Sequence, residues 1–291
     1  MEASNPRATG EFALNFGYRD SYGGLSDDQD SEAMYKMSMN EFDNVQSLTG
    51  NKRYILEKYP GTIVIDTSYV CNLKCKMCHQ NSDQFSMPEK PHISIELIKR
   101  LLPLCKDSGS VYLLGYGEPL MHPQIYEIIS LIKNECPNTH VSFTSNGVLL
   151  DDGNINKLID AKLDSISISM DGPNLKRGHQ KSDITYKNVR RLKEIKEKRG
   201  VTYPNIRIGF VLGKDNENEL IPMIEFAIEV GAKAVIVEPL RIVAPNPEWD
   251  DYIRANNMYN HMQTIVPIMQ QARKLAEDHG ISIDTPYIVG V

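Results

Sequence analysis

The chain has 291 residues, 41% of them hydrophobic and 24% charged, with a formal net charge of −6. That is the profile of a soluble globular chain long enough for one large α/β domain or two small ones. The acidic balance argues against a nucleic-acid partner. No apolar run approaches bilayer-spanning length and no signal peptide is visible at residues 1–7, so no membrane is expected and the reducing cytoplasm is the expected compartment.

Residues 1–50 form a polar segment without a sustained apolar period, including the acidic run Ser26-Asp27-Asp28-Gln29-Asp30-Ser31-Glu32. We expect residues 1–30 to be disordered, with helices near 31–40 and 51–58. From residue 62 strands and helices alternate. A strand at Thr62–Asp66 leads into a cysteine-rich loop, then a helix carrying Ile95, Ile98, Leu101 and Leu102 with Ser94 as its N-cap. A strand at Val111–Leu114 precedes a helix with Ile125, Ile128, Ile129 and Ile132. Next come a strand at Val141–Phe143, a short helix with Ile155, Leu158 and Ile159, and a strand at Ser165–Ile168. A charged helix follows at about 185–199, a strand at Ile206–Leu212, a helix with Leu220, Ile224, Ala227 and Ile228, and a strand at Ala234–Val237. A final helix is expected over about 255–279, with a last short strand at Ile281–Ile283.

That is six βα units and a seventh strand, and repeated βαβ units force parallel pairing. The fold class is α/β. A partial (β/α)6 TIM-like barrel and a doubly wound sheet both satisfy the alternation. The barrel domain is expected to span 51–284, with a tail at 285–291.

Three of the five cysteines fall in Cys71-Asn72-Leu73-Lys74-Cys75-Lys76-Met77-Cys78, directly after the first strand. Three thiolates on one loop suit a metal centre that keeps a coordination position open. A structural zinc site would want a fourth ligand, for which only the adjacent His79 is at hand. A disulfide does not fit a reducing compartment. Cys105 and Cys136 lie late in amphipathic helices and are expected to be buried small hydrophobes.

The other polar motifs also follow strands, where barrel enzymes place their chemistry. They are Gly115-Tyr116-Gly117-Glu118-Pro119, Thr144-Ser145-Asn146-Gly147, Ser169-Met170-Asp171-Gly172-Pro173 and Glu238-Pro239-Leu240-Arg241. Singly, each is ordinary turn chemistry. In this order behind this cysteine spacing, they resemble the core of the radical S-adenosylmethionine (SAM) enzymes, over about residues 62–240.

The resemblance implies a [4Fe–4S] cluster on Cys71, Cys75 and Cys78, whose fourth iron takes the amino and carboxylate groups of SAM. It implies that Gly117 and Glu118 belong to the strip holding the SAM amino group, that Asn146 lines the same side, and that Ser169 is the strand-four polar residue of the peptide- and sulfatase-modifying branch. Arg177 matches that branch's arginine for the SAM carboxylate, a pairing that suits the planar guanidinium. Pro239-Leu240 falls where the family packs the adenine. Tyr116, Met77 and Ser145 depart from the usual Gly, aromatic and Thr, and no cysteine follows Cys136, where many relatives carry a Cys-rich extension.

The implied reaction is reductive cleavage of SAM to a 5′-deoxyadenosyl radical that abstracts hydrogen from a peptide or small metabolite, with flavodoxin or ferredoxin as electron donor. Asp66, Ser68, Glu238 and Arg241 are candidates to face the substrate. The opposing reading is a non-enzymatic iron–sulfur or zinc binding module.

Overall fold

The computed structural model describes residues 14–15, 61–82, 85–172, 182–242 and 247–285. The helices expected at 31–40 and 51–58, the C-terminal tail beyond 285 and Arg177 lie outside these residues, as does all but Leu14–Asn15 of the segment expected to be disordered.

The eight strands are β1 (Leu14–Asn15), β2 (Thr62–Asp66), β3 (Ser110–Leu114), β4 (His140–Ser145), β5 (Ser165–Ser169), β6 (Asn205–Leu212), β7 (Ala234–Pro239) and β8 (Ser282–Asp284). They form one sheet in strict sequence order. β1 pairs antiparallel to β2 at the edge, and β2 through β8 are all parallel. Helices α1 (Ile95–Asp107), α2 (Ile125–Glu135), α3 (Asp152–Asp160), α4 (Ser182–Arg199), α5 (Leu220–Glu229), α6 (Pro247–Asn256) and α7 (Met262–Asp278) lie in the connections.

Strand order separates the two architectures that the alternation left open. A doubly wound sheet reverses direction once and puts helices on both faces. Here the order never reverses, so crossovers of one hand carry every helix to the same side and the sheet curls round its other face. Among the described residues no pairing joins β8 to β2, so the curl is an open barrel.

The helices are set by their caps and apolar stripes. Ser94 Oγ accepts from Leu97 N at 3.2 Å, and α1 buries Ile95, Ile98, Leu101 and Cys105. Asp151 Oδ1 caps α3 at Asn154 N, 2.8 Å. These stripes meet the outward residues of the strands, Ile63, Ile65, Val111, Leu113, Val141, Phe143, Ile166, Ile168, Ile206 and Ile208, in one core. Each such side chain contributes about 1.5–3 kcal/mol by leaving water. Cys105 and Cys136 are buried in it, as expected.

Fully covered parallel strands read as continuous apolar runs. These do not. In β5, Ile166 and Ile168 face the helices while Ser165, Ser167 and Ser169 take the other side; in β4, Ser142 and Thr144 do the same. The concave face is therefore hydroxyl-rich where a closed barrel would hold branched aliphatics.

Two boundaries differ from expectation. Thr144, Ser145, Ser169, Glu238 and Pro239 are strand residues, so their motifs begin on the sheet. The last helix is two helices. Asn257 leaves helical geometry at φ −59°, ψ 128°, because its Oδ1 caps Tyr259 N and its Nδ2 donates to Leu240 O. Among the described residues, no helix is long and apolar enough to cross a membrane.

Candidate active site at the strand ends

The cysteine loop leaves β2 and is stapled to its neighbour before it turns. Thr67 N donates to Leu114 O at 2.7 Å, Gly117 N to Ser68 O at 2.8 Å and Glu118 N to Val70 O at 2.9 Å. Ser68 Oγ accepts from Val70 N at 3.1 Å, so Ser68, 1% exposed, is a buried turn residue. Glycine at 117 is required by this close approach: a Cβ there would overlap Val70 O and lie 2.8 Å from Ser68 O, both backbone atoms. Within the loop, Cys78 N donates to Cys75 O at 3.0 Å, and Asn81 Nδ2 caps the same carbonyl.

Glu118 joins three motifs. Its carboxylate is 2% exposed, accepts from Ser145 Oγ and Asn146 N at 2.8 Å each, and from Leu120 N at 3.2 Å. Burial pushes its pKa up, against the lowering effect of these donors. Asn146 carries the connection onward: Nδ2 donates to Asn72 Oδ1 at 2.9 Å and lies 3.9 Å from Cys71 Sγ. Its carbonyl accepts from Thr185 Oγ1 at 2.9 Å. The β3, β4 and cysteine loops are thus one hydrogen-bonded unit.

Tyr116, the departure from glycine, packs its ring 4.8 Å from His79 and 5.5 Å from Tyr69. His79 also meets Phe85 edge-on at 5.9 Å. The histidine considered as a zinc ligand is held in this aromatic stack. Among the described residues, no three His, Cys, Asp or Glu side chains close on a single ion.

Cys71, Cys75 and Cys78 line one end of a cavity of about 550 Å³. Gly117, Glu118, Asn146 and Ser169 also line it, as does Met77. Glu238 is the one substrate-facing candidate among its lining residues; Asp66, Ser68 and Arg241 are not, and neither are Pro239 and Leu240, the expected adenine contacts. Ile236, Phe210 and Val211 line it instead. Sequence reading also missed the floor residues Tyr112, Thr144 and Ser167, where the Tyr112 and Thr144 hydroxyls hydrogen-bond. Their signal was present: polar residues at every second position of strands that should have been continuously apolar.

The thiols are chemically suited to a cluster. Burial pushes the Cys71 thiol up; burial, and after it the neighbouring Cys78 and Cys71 sulfurs, push Cys75 up to about 12. Metal ligation by thiols releases their protons, so it competes with this protonation.

An open parallel barrel with three thiols at the mouth of its cavity is the architecture of a metal-dependent barrel enzyme. The Radical SAM superfamily model matches residues 65–227, more than half of the chain, and the chain belongs to that superfamily. Members are enzymes that use a [4Fe–4S] cluster and SAM, and these are the cofactors of this chain. It is 25% identical over 225 residues to a "tungsten-containing aldehyde ferredoxin oxidoreductase cofactor-modifying protein" of Pyrococcus furiosus, covering 75% of this chain and 60% of that one. It is 30% identical over 175 residues to a "probable GTP 3′,8-cyclase" of Methanocaldococcus jannaschii, covering 58% of this chain and 55% of the relative. Streptococcus suis SuiB bound to SAM shares the fold, with a TM-score of 0.56 at 18% identity, over 91% of this chain and 57% of SuiB. The chain thus spans 55–60% of the length of these curated relatives.

Proposed function

We propose that this chain holds a [4Fe–4S] cluster on Cys71, Cys75 and Cys78, binds SAM in the adjoining cavity, and directs hydrogen abstraction from a peptide or small-molecule substrate. When bound, the reduced cluster supplies the one-electron cleavage of SAM to a 5′-deoxyadenosyl radical. The observation that carries the reading is spatial: the three thiols and the loops after β3, β4 and β5 border one cavity. A cluster carrier without enzymatic activity has no use for that arrangement.

The chain's own residues divide the work. Gly117 and Glu118 fix the base of the cysteine loop and present the strip expected to receive the SAM ammonium. Asn146 orients Asn72 beside Cys71. Ser169, at the exposed end of β5, offers a hydroxyl to the cavity. The curled sheet screens the interior from water. Flavodoxin or ferredoxin is the expected class of electron donor.

The test is anaerobic reconstitution with iron and sulfide, followed by dithionite and SAM. Four irons per chain and release of 5′-deoxyadenosine are expected. Cys71→Ala, Cys75→Ala and Cys78→Ala each lose both, whereas Cys105→Ala and Cys136→Ala keep both. A reconstituted protein that binds iron through Cys105 or cleaves no SAM overturns the reading.

A further inference from the structure

The cysteine loop is held on two sides. Gly117 and Glu118 staple one side of its entry. On the other, Tyr69 N donates to Pro91 O at 2.8 Å and Ile93 N to Thr67 O at 3.0 Å, with Ser68 and His92 paired antiparallel between them. Residues 91–93 are therefore a strap along the chain that leads into Cys71. Behind the strap stands His122, 2% exposed, at the end of the short turn Pro119–Met121 that follows Glu118. Its Nε2 lies 2.9 Å from Ile93 O, and its Nδ1 lies 3.0 Å from Gln124 N at the start of α2.

A carbonyl can only accept and an amide N–H can only donate, so this network assigns the ring proton to Nε2 and leaves Nδ1 bare. Both bonds coexist only while the ring is neutral. A protonated Nδ1 would point its hydrogen at that of Gln124 N. The charge would also sit beside His92, whose ring meets His122 edge-on at 5.1 Å and whose Nδ1 is buried without a hydrogen-bond partner. The ionisable groups on the surrounding elements bring no relief. Glu89, Lys90, Glu96 and Glu127 are exposed, and Glu127 accepts from Gln124 Nε2 at 3.0 Å. Glu118 is taken by Ser145, Asn146 and Leu120, and Asp66 by Tyr69. Burial lowers the pKa of both histidines, opposed at His122 by the Ile93 carbonyl.

We propose that His122, as a neutral ring, is a positioning residue for the cysteine loop, and that its protonation in acid, made costlier by His92, releases the strap and loosens the cluster site. The sign follows from burial. The folded ring titrates below its ordinary 6.5, so below that value the unfolded chain binds more protons. The strap's contribution is complete above 6.5 and is lost as the pH falls through the folded value. The inference adds an acid-sensitive control to the site and, where iron is the readout, rests on the cluster reading above.

The experiment compares wild type, His122→Gln and His92→Gln under anaerobic conditions. The first variant can still donate to Ile93 O but has no ring to protonate. Proton–nitrogen NMR of the histidine rings and urea unfolding are run on the metal-free proteins. The rate of iron release to ferrozine is run on the reconstituted ones, at about pH 7.5 and about pH 5.5. The His122 ring should carry its proton on Nε2 and titrate below 6.5, and at a higher pH in His92→Gln than in wild type. Between the two pH values wild type should lose more urea resistance than His122→Gln, and its iron release should accelerate at least tenfold more. The inference is overturned by a His122 ring protonated on Nδ1 or titrating at or above 6.5. Parallel pH profiles of wild type and His122→Gln, in urea or in iron release, overturn it too. A wild type that takes up no iron refutes the cluster reading instead, and NMR and urea then decide the role of His122 by themselves.

Discussion

Gly117→Ala tests whether the cysteine loop is held by the backbone staple. The new Cβ would overlap Val70 O and press on Ser68 O and the Tyr69 carbonyl carbon, both at 2.8 Å. These are backbone atoms and cannot swing aside as a side chain can. Relief requires the strip to part, sacrificing the Gly117 N–Ser68 O and Glu118 N–Val70 O hydrogen bonds of 2.8 and 2.9 Å. Two hydrogen bonds at about 0.5–1.5 kcal/mol each and overpacking at about 1–3 kcal/mol give roughly 2–6 kcal/mol of destabilisation. The control is Gly231→Ala: that residue has φ +67° with nothing within 4 Å, so it carries only left-handed backbone strain of about 1–2 kcal/mol. Urea unfolding of both metal-free variants under anaerobic conditions gives the comparison, with iron uptake measured in parallel. The expected result is a larger loss for Gly117→Ala together with lowered iron content. Equal midpoints for the two variants, or full iron loading in Gly117→Ala, would refute the staple.

Glu118→Gln keeps the shape of the side chain but turns one acceptor into a donor facing Ser145, Asn146 or Leu120; we expect a loss of about 1–3 kcal/mol by urea unfolding. A midpoint unchanged from wild type would mean that these bonds are not formed in solution. Lys196 donates to Pro204 O at 2.7 Å, and burial, aided by Lys233, lowers its pKa from 10.5 to about 8. The folded chain releases this proton first, so the unfolded chain holds more protons between those values and stability rises with pH across that window. Discounted for solvent screening of a half-buried ammonium, the gain of wild type over Lys196→Met from pH 7 to 10.5 is roughly 1–2 kcal/mol, and parallel pH profiles would contradict it. Trp249, the single tryptophan, has Lys76 of the cysteine loop 4.6 Å from its ring centroid. Iron–sulfur assembly should therefore quench its fluorescence strongly, and an emission indifferent to reconstitution would place the loop away from α6.

The local and chemical features were legible in the chain itself. Cys71, Cys75 and Cys78 suggest a cluster site by spacing alone, because they lie within eight residues on one loop. The helices α1, α2 and α3 were legible too, since a cap such as Ser94 and a stripe such as Ile95, Ile98 and Leu101 are local properties. Other features are decided by contacts distant in sequence. Barrel and doubly wound sheet share one alternation, and only strand order, an outcome of which edges pair, distinguishes them. The break at Asn257 is made by the Leu240 carbonyl, 17 residues away. Glu118 reads as a helix-capping acid in a turn, and becomes the junction of three loops only when β4 brings Ser145 and Asn146 to it. The same holds for Glu238. Its carboxylate is visible in the sequence, but its place in the cavity wall opposite Val211 exists only once β6 and β7 pair. Spacing specifies ligands within one loop; the charge balance of a cavity is a sum over strands that the chain order keeps apart.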